Sequence, residues 1–419
     1  MKLPAALAAA LLSSLVPSAQ PFPTAVTVPI TLDHNRTIID VYLPLPDGKS
    51  KRVRAWVDNG NPELTITQAL AQKLGLQLSQ DPATTKPGAA VPTAAPTSLQ
   101  IGDMTISLAA AKDAKALLQR ESVAPGCSAE ITIPSTVLRN YDVLFDYPNR
   151  QFTIGPPGSI SFKGESSKAI LNAQTGLIQI ASTVEGKPYN IALDLGSSIS
   201  LLSDEVIAEW QKIHNAWPHM TGAIAAANMW GADDEPQHNL LRIPSLQLGT
   251  TNLTNVAVAA LPRQSMKFFA DRAGLATIGL IGANALLNDR VGLDYAHSTI
   301  YLQASSPSTL PAFDVVGVIL RPEPDGRYTI LGTAEYQGKP SVPDVKAGDL
   351  LLGVDGAPAT GATMGQVWSL LGGAPGQTRT LTLEREGKRF TVDAPVRRFL
   401  PTTPGTPMQS PRRNPHRSN

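Results

Sequence analysis

The chain carries one set of landmarks twice, in the same order. Ala55-Trp56-Val57-Asp58-Asn59-Gly60 closes one strand-like run and Ala192-Leu193-Asp194-Leu195-Gly196 closes another. Each ends in an aspartate, one further residue and a glycine. Ser98-Leu99-Gln100-Ile101-Gly102 returns as Ser245-Leu246-Gln247-Leu248-Gly249, and Val143-Leu144-Phe145-Asp146-Tyr147 returns as Val291-Gly292-Leu293-Asp294-Tyr295. The interval from Gly102 to Asp146 nearly equals that from Gly249 to Asp294. Three matched landmarks in one order imply two duplicated lobes. Such lobes tend to pack about a pseudo-twofold axis. Corresponding loops then meet at that axis, and Asp58 faces Asp194.

The 419 residues suit two to four domains. Lobe 1 is expected over residues 20–158 and lobe 2 over 159–303, followed by a Ser/Pro linker at 304–312. In lobe 1, a turn at Asp47-Gly48 joins two strands that deliver the chain to Asp58. A short helix then runs from Thr67 to Leu74 and stops at Gly75. In lobe 2, a turn at Glu185-Gly186-Lys187 precedes Asp194, and a helix begins after Ser203, a plausible N-cap. A third unit occupies 313–398, with a helix over Met364 to Leu371 and a hairpin across Glu386-Gly387. The tail 399–419, rich in Pro, Ser and Arg, reads as disordered.

Residues 1–19 read as an export signal. Lys2 precedes an apolar run, Ala5 to Leu15, that is too short to span a bilayer, and Ser18 and Ala19 offer a cleavage point. The expected location is the bacterial periplasm or the medium, with no membrane span after cleavage. Cys127 is the only cysteine, which excludes an internal disulfide and reads as a small buried hydrophobe. A net charge of +1 argues against nucleic acid as a partner.

Two carboxylates a few ångströms apart cannot both ionise easily, so they share a proton. The charged one activates a water as general base, and the protonated one donates to a substrate carbonyl. Amide hydrolysis by this route uses no cofactor and no metal. Gly60 and Gly196 let the backbone turn tightly beside each carboxylate and present N–H groups to it.

The doubled Asp-x-Gly, with Gly279-Leu280-Ile281-Gly282 ahead of Asp294-Tyr295, resembles the retropepsin and pepsin clan of aspartic proteases over roughly residues 25–303. The fold this implies is mainly β: two pseudo-twofold-related, β-barrel-like lobes. The resemblance implies Asp58 and Asp194 as the catalytic pair. Asn59, Gly60, Asn61, Leu195, Gly196, Ser197, Gly279 and Gly282 would support the active-site loops, and Ser197 would hydrogen-bond a carboxylate. The clan usually has Thr or Ser where Asn59 and Leu195 stand; Asn can still bond the opposite loop and Leu cannot. Counting back from Asp146 and Asp294 also sets Pro134 where lobe 2 has Gly282, and Ile131 where it has Gly279.

Ala347-Gly348-Asp349-Leu350-Leu351-Leu352-Gly353-Val354-Asp355-Gly356 makes the third unit resemble a PDZ domain, a small α+β module that binds extended peptide. Two readings follow. One is an exported aspartic endopeptidase acting on polypeptide, with a peptide or protein ligand at the PDZ-like unit. The other is a catalytically inactive relative that binds peptide in the envelope. Asp233, Asp234, Glu235 and His238 read as a solvated loop tip. Loops 80–97 and 222–242, the latter with Trp230, stand where flaps would cover a substrate. Asn35-Arg36-Thr37 matches a glycosylation triplet.

Overall fold

Each aspartate stands at the end of a hairpin whose register follows from its turn. Strands Arg36–Pro44 and Ser50–Asp58 pair antiparallel from Pro44↔Ser50 to Ile38↔Trp56. Along the second strand Val53, Ala55 and Val57 point into the lobe, while Arg52 and Arg54 point out. The lobe 2 hairpin pairs Val184↔Lys187 through Ile178↔Leu193. Its turn residues Glu185 and Gly186 have φ of 49° and 77°, the left-handed pair that a two-residue hairpin turn requires. Helices Gln68–Lys73 and Asp204–Ile213 follow, N-capped by the side chains of Thr67 and Ser203.

The computed structural model describes residues 24–77, 90–93, 96–111, 114–117, 122–222, 233–274, 276–304 and 313–402. The export signal, most of the two expected flaps with Trp230, residues 305–312 of the linker and residues 403–419 lie outside the described residues.

The two Asp-Tyr landmarks lead to the join between lobes. Strands Asp142–Asp146 and Asp289–Asp294 pair antiparallel, with Asp142↔Asp294 and Asp146↔Arg290 as the outer partners. Gln151–Gly155 and Val26–Pro29 extend this sheet on one side, and Thr299–Ala304 and Glu165–Leu171 on the other. The pseudo-twofold axis passes between the two central strands. Arg290 Nε meets Asp146 Oδ2 at 2.9 Å across it. One apolar core runs through both lobes. The chain is mainly β with two barrel-like lobes, as the sequence implies.

The third unit is a curled sheet in the order Val318–Pro322, Tyr328–Thr333, Leu350–Val354, Thr378–Arg385, Lys388–Pro395, with one helix, Met364–Leu371. Thr363 and Gln366 form a capping box at that helix's start. The unit shares a buried core with lobe 2. Ala192, Leu201, Leu240 and Leu280 cluster with Val315, Leu320, Ile330 and Leu371. Their sequence neighbours Leu193, Leu202, Leu241 and Ile281 face lobe 2's own interior. The lobe 2 sheet is therefore buried on both faces.

Two expectations are corrected by this packing. Segment 233–238 is only partly a solvated tip: Asp233 and Asp234 are exposed, Asp233 pairing with Arg321 Nη1 at 2.6 Å, but Glu235 and His238 are buried and Pro236 lies against Gly332. The chain also stays ordered past 398. Phe399 and Leu400 are buried, and the Leu400 carbonyl accepts a 3.0 Å bond from the buried Arg242 Nε.

Candidate active site

The strand carrying each aspartate is held by a short parallel strand beside it. Ile131–Pro134 runs parallel to Ser50–Asp58 with Pro134 opposite Asp58. Gly279–Gly282 runs parallel to Lys187–Asp194 with Gly282 opposite Asp194. The next residue repeats the match: Ser135 N–H donates to the Asn61 carbonyl, and Ala283 N–H to the Ser197 carbonyl, both at 2.9 Å. The two loops are thus built alike although Pro134 replaces a glycine. Lobe 2 needs its glycines for local reasons. A methyl on Gly282 would collide with the Ile199 backbone, and one on Gly279 with the Leu201 carbonyl. In lobe 1, Ile131 fills its place in the core and is fully buried.

Each carboxylate is gripped by its own turn. Gly60 N–H donates to Asp58 Oδ1 at 3.2 Å. Gly196 and Ser197 N–H both donate to Asp194 Oδ1 at 3.0 Å. Ser197 therefore holds the carboxylate through its backbone, and its hydroxyl bonds the Ile199 carbonyl at 2.7 Å instead.

The loops then interlock. A methyl on Gly60 would overlap the Asp194 carboxylate, and a methyl on Gly196 would overlap that of Asp58. Each glycine is the floor on which the opposite aspartate rests. Asn59 braces the crossing from one side alone. Its Nδ2 donates to the Leu193 carbonyl at 2.9 Å and its Oδ1 accepts from Leu195 N–H at 2.7 Å. Asn59 and Leu195 are both fully buried. A single amide, carrying donor and acceptor, does what hydroxyls from two lobes would share. Leu195 consequently has no bracing to do and packs in the core.

Burial pushes the Asp194 carboxyl up to about 6, against the opposing pull of the Ser197 and Gly196 N–H groups. Asp58 is also nearly excluded from solvent. The pair opens into a cleft of about 750 Å³. Its apolar wall includes Trp56, Pro125, Ile199, Phe269 and Leu280.

Several cleft residues escaped the sequence reading. Trp56 stands two residues before Asp58, so strand alternation alone places it on the same face. His34 and Arg36 come from the hairpin turn between Thr31–Asp33 and Arg36–Pro44. The sequence offered only a glycosylation triplet there. In the fold, Asn35 Nδ2 reaches across to the Ser198 carbonyl at 2.9 Å. Cys127 is buried, with its thiol pushed up by desolvation, and does not line the cleft. Among the described residues no cluster of three or more His, Cys, Asp or Glu side chains is placed to hold a metal, and no helix is long and apolar enough to cross a membrane.

No protein-family model matches the chain, and no curated protein does. Among solved structures the chain is similar to the aspartic proteinase from Irpex lacteus, at 12% identity over 68% of this chain and 99% of that one, with a TM-score of 0.42.

Proposed function

We propose that the chain is an aspartic-type peptidase in which Asp58 and Asp194 act as one pair. The observation that carries this reading is the reciprocal seating of each aspartate on the other loop's glycine. Two independent Asp-Gly turns have no reason to interlock in this way. Holding two carboxylates together also costs stability, which a protein that only bound peptide would have no need to bear.

Two carboxylates held together share one proton, and we assign it to Asp194. Asp194, desolvated and raised to about 6, holds its proton in acid and donates to the carbonyl of the scissile bond. Asp58, as carboxylate, takes a proton from the attacking water. The Gly60, Gly196 and Ser197 N–H groups fix the inner oxygens so that the outer ones face the cleft. The apolar walls exclude competing water and strengthen these interactions.

The third unit, read as PDZ-like, would contribute an extended-peptide site at a sheet edge. Export to the periplasm or medium belongs to the same reading. The test is hydrolysis of a broad peptide mixture from acid to neutral pH, followed by mass spectrometry. Asp58→Asn and Asp194→Asn are each expected to lose at least about a thousandfold in kcat/KM, or about 4 kcal/mol of transition-state stabilisation, with folding intact by circular dichroism. Unchanged cleavage in either variant would remove the pair from the chemistry.

A further inference from the structure

Arg36 is a buried guanidinium in the wall of the cleft, and its own contacts leave it poorly satisfied. Nε reaches the Asp33 carbonyl at 3.3 Å and Nη2 reaches the Gly126 carbonyl at 3.4 Å. The nearest carboxylate oxygen, Asp33 Oδ2, lies 3.8 Å away. Charge-assisted bonds of this kind normally close to about 2.7–2.9 Å. Nη1 has no hydrogen-bond partner among the described residues. The Arg36 side chain is only 9% exposed, so most of the guanidinium is withdrawn from bulk water while its open donor stays accessible from the cleft.

Asp33 is tethered by one of its two oxygens. Its Oδ1 accepts the Gly365 N–H at 2.9 Å, at the start of the third unit's Met364–Leu371 helix. The neighbouring Met364 N–H takes the Gly126 carbonyl at 2.8 Å, the same carbonyl that Nη2 approaches. The third unit thus holds Asp33 Oδ1 and the Gly126 carbonyl, and leaves Arg36 a long 3.8 Å ion pair with Asp33 Oδ2, which makes no hydrogen bond of its own among the described residues. The guanidinium is held in place instead by stacking over Trp56, with Cζ 5.5 Å from the ring centroid. Trp56 and Arg36 both line the cleft that holds Asp58 and Asp194.

A positioned, desolvated guanidinium with open donors suits a planar anion that can accept two parallel bonds. We propose that Arg36 is the specificity residue of the cleft and binds a carboxylate of the polypeptide substrate close to the bond that is cut. The carboxylate is either a Glu or Asp side chain or the free carboxyl terminus. This inference rests on the peptidase reading for its place in the reaction, but the binding it predicts does not need turnover.

The competing account is that Arg36 tunes the aspartate pair. In that case it would shift the pH profile equally for every substrate. The experiment uses matched synthetic peptides with Glu or Gln at each position around the cleaved bond, each as free acid and as carboxyl-terminal amide. In wild-type protein one Glu peptide, or the free acid, is expected to exceed its neutral partner about tenfold in kcat/KM, mainly through KM. Arg36→Gln is expected to remove that preference and Arg36→Lys to keep part of it. Which arm carries the preference identifies the source of the carboxylate.

The same peptides titrated by fluorescence anisotropy against Asp194→Asn protein should show the same order of affinity. That arm decides the question even if nothing is hydrolysed, so a failed peptidase reading is not confused with a failed carboxylate site. Equal rates and equal affinities for acidic and neutral peptides would overturn the proposal. So would a preference that survives in Arg36→Gln.

Discussion

Asn59→Ala is the perturbation that most directly tests how the two loops are held. The side chain is fully buried and makes two bonds to the opposite lobe, at 2.9 Å to the Leu193 carbonyl and 2.7 Å to Leu195 N–H. Truncation leaves both backbone groups buried without those partners. Each orphaned group costs about 1–3 kcal/mol, so the pair costs about 2–6 kcal/mol. Against a usual stability of about 5–15 kcal/mol this is a large loss. Guanidinium titration followed by tryptophan fluorescence measures it from the midpoint and slope. Asn59→Asp should be worse than alanine. It keeps an acceptor for Leu195 N–H but turns the donor into an anion facing the Leu193 carbonyl. Asn59→Thr should fall between wild type and alanine, because one hydroxyl recovers at most part of the brace. Hydrolysis should fall in the same order, through kcat, as the carboxylates lose their alignment. An Asn59→Ala protein within about 0.5 kcal/mol of wild type would refute the reasoning, since that is the range of an inconsequential surface change.

Gly60→Ala places a methyl into the Asp194 carboxylate, so it should cost about 1–3 kcal/mol as an overpacked site and abolish hydrolysis. A variant that is both stable and active would show that the loops do not interlock. The raised Asp194 pKa gives a signed pH effect. Its folded value of about 6 lies above the unfolded value of about 3.9, so the folded state binds the proton more tightly. The stability this contributes is complete below about pH 4 and disappears as pH rises through about 6. The difference between wild-type and Asp194→Asn unfolding midpoints should therefore shift against wild type over that window, and hydrolysis should decline as pH passes about 6. A difference that stays flat there would contradict the assignment.

The doubled landmarks made the two lobes and the position of both aspartates legible, because repeats survive in the residues that turns and buried strands demand. The count that set Pro134 beside Gly282 was sound, and the register gives both the same station opposite an aspartate. What the sequence hid was how few contacts this station needs. Pro134 is accommodated in lobe 1, whereas in lobe 2 the nearby Ile199 backbone forces glycine. The double brace from Asn59 was also hidden. It depends on the Leu193 carbonyl and Leu195 N–H lying within reach of one amide, a matter of distance that no residue pattern encodes. The Ser197 bond to a carboxylate was legible, but not that the backbone N–H makes it while the hydroxyl turns to the Ile199 carbonyl. By contrast, a signal for the third unit's docking was present. Lobe 1 alternates in Ile131-Thr132-Ile133, whereas Leu280-Ile281 at the matching station, Leu201-Leu202 and Leu240-Leu241 in lobe 2 are apolar on both faces. Continuous apolar strands mean burial on both sides.

That two-sided burial has a consequence for the order in which the protein is made. Residues 313–402 leave the ribosome after both lobes, and until then Ala192, Leu201, Leu240 and Leu280 lack their cover. Leu280 and Ile199 lie both beneath that cover and in the cleft wall, and the hairpin holding Arg36 is clasped by the third unit's helix. The cleft is therefore braced from behind by the final stretch of described chain. In a nascent protein with both aspartates already made, the wall residues Ile199 and Leu280 still lack the packing that fixes their position.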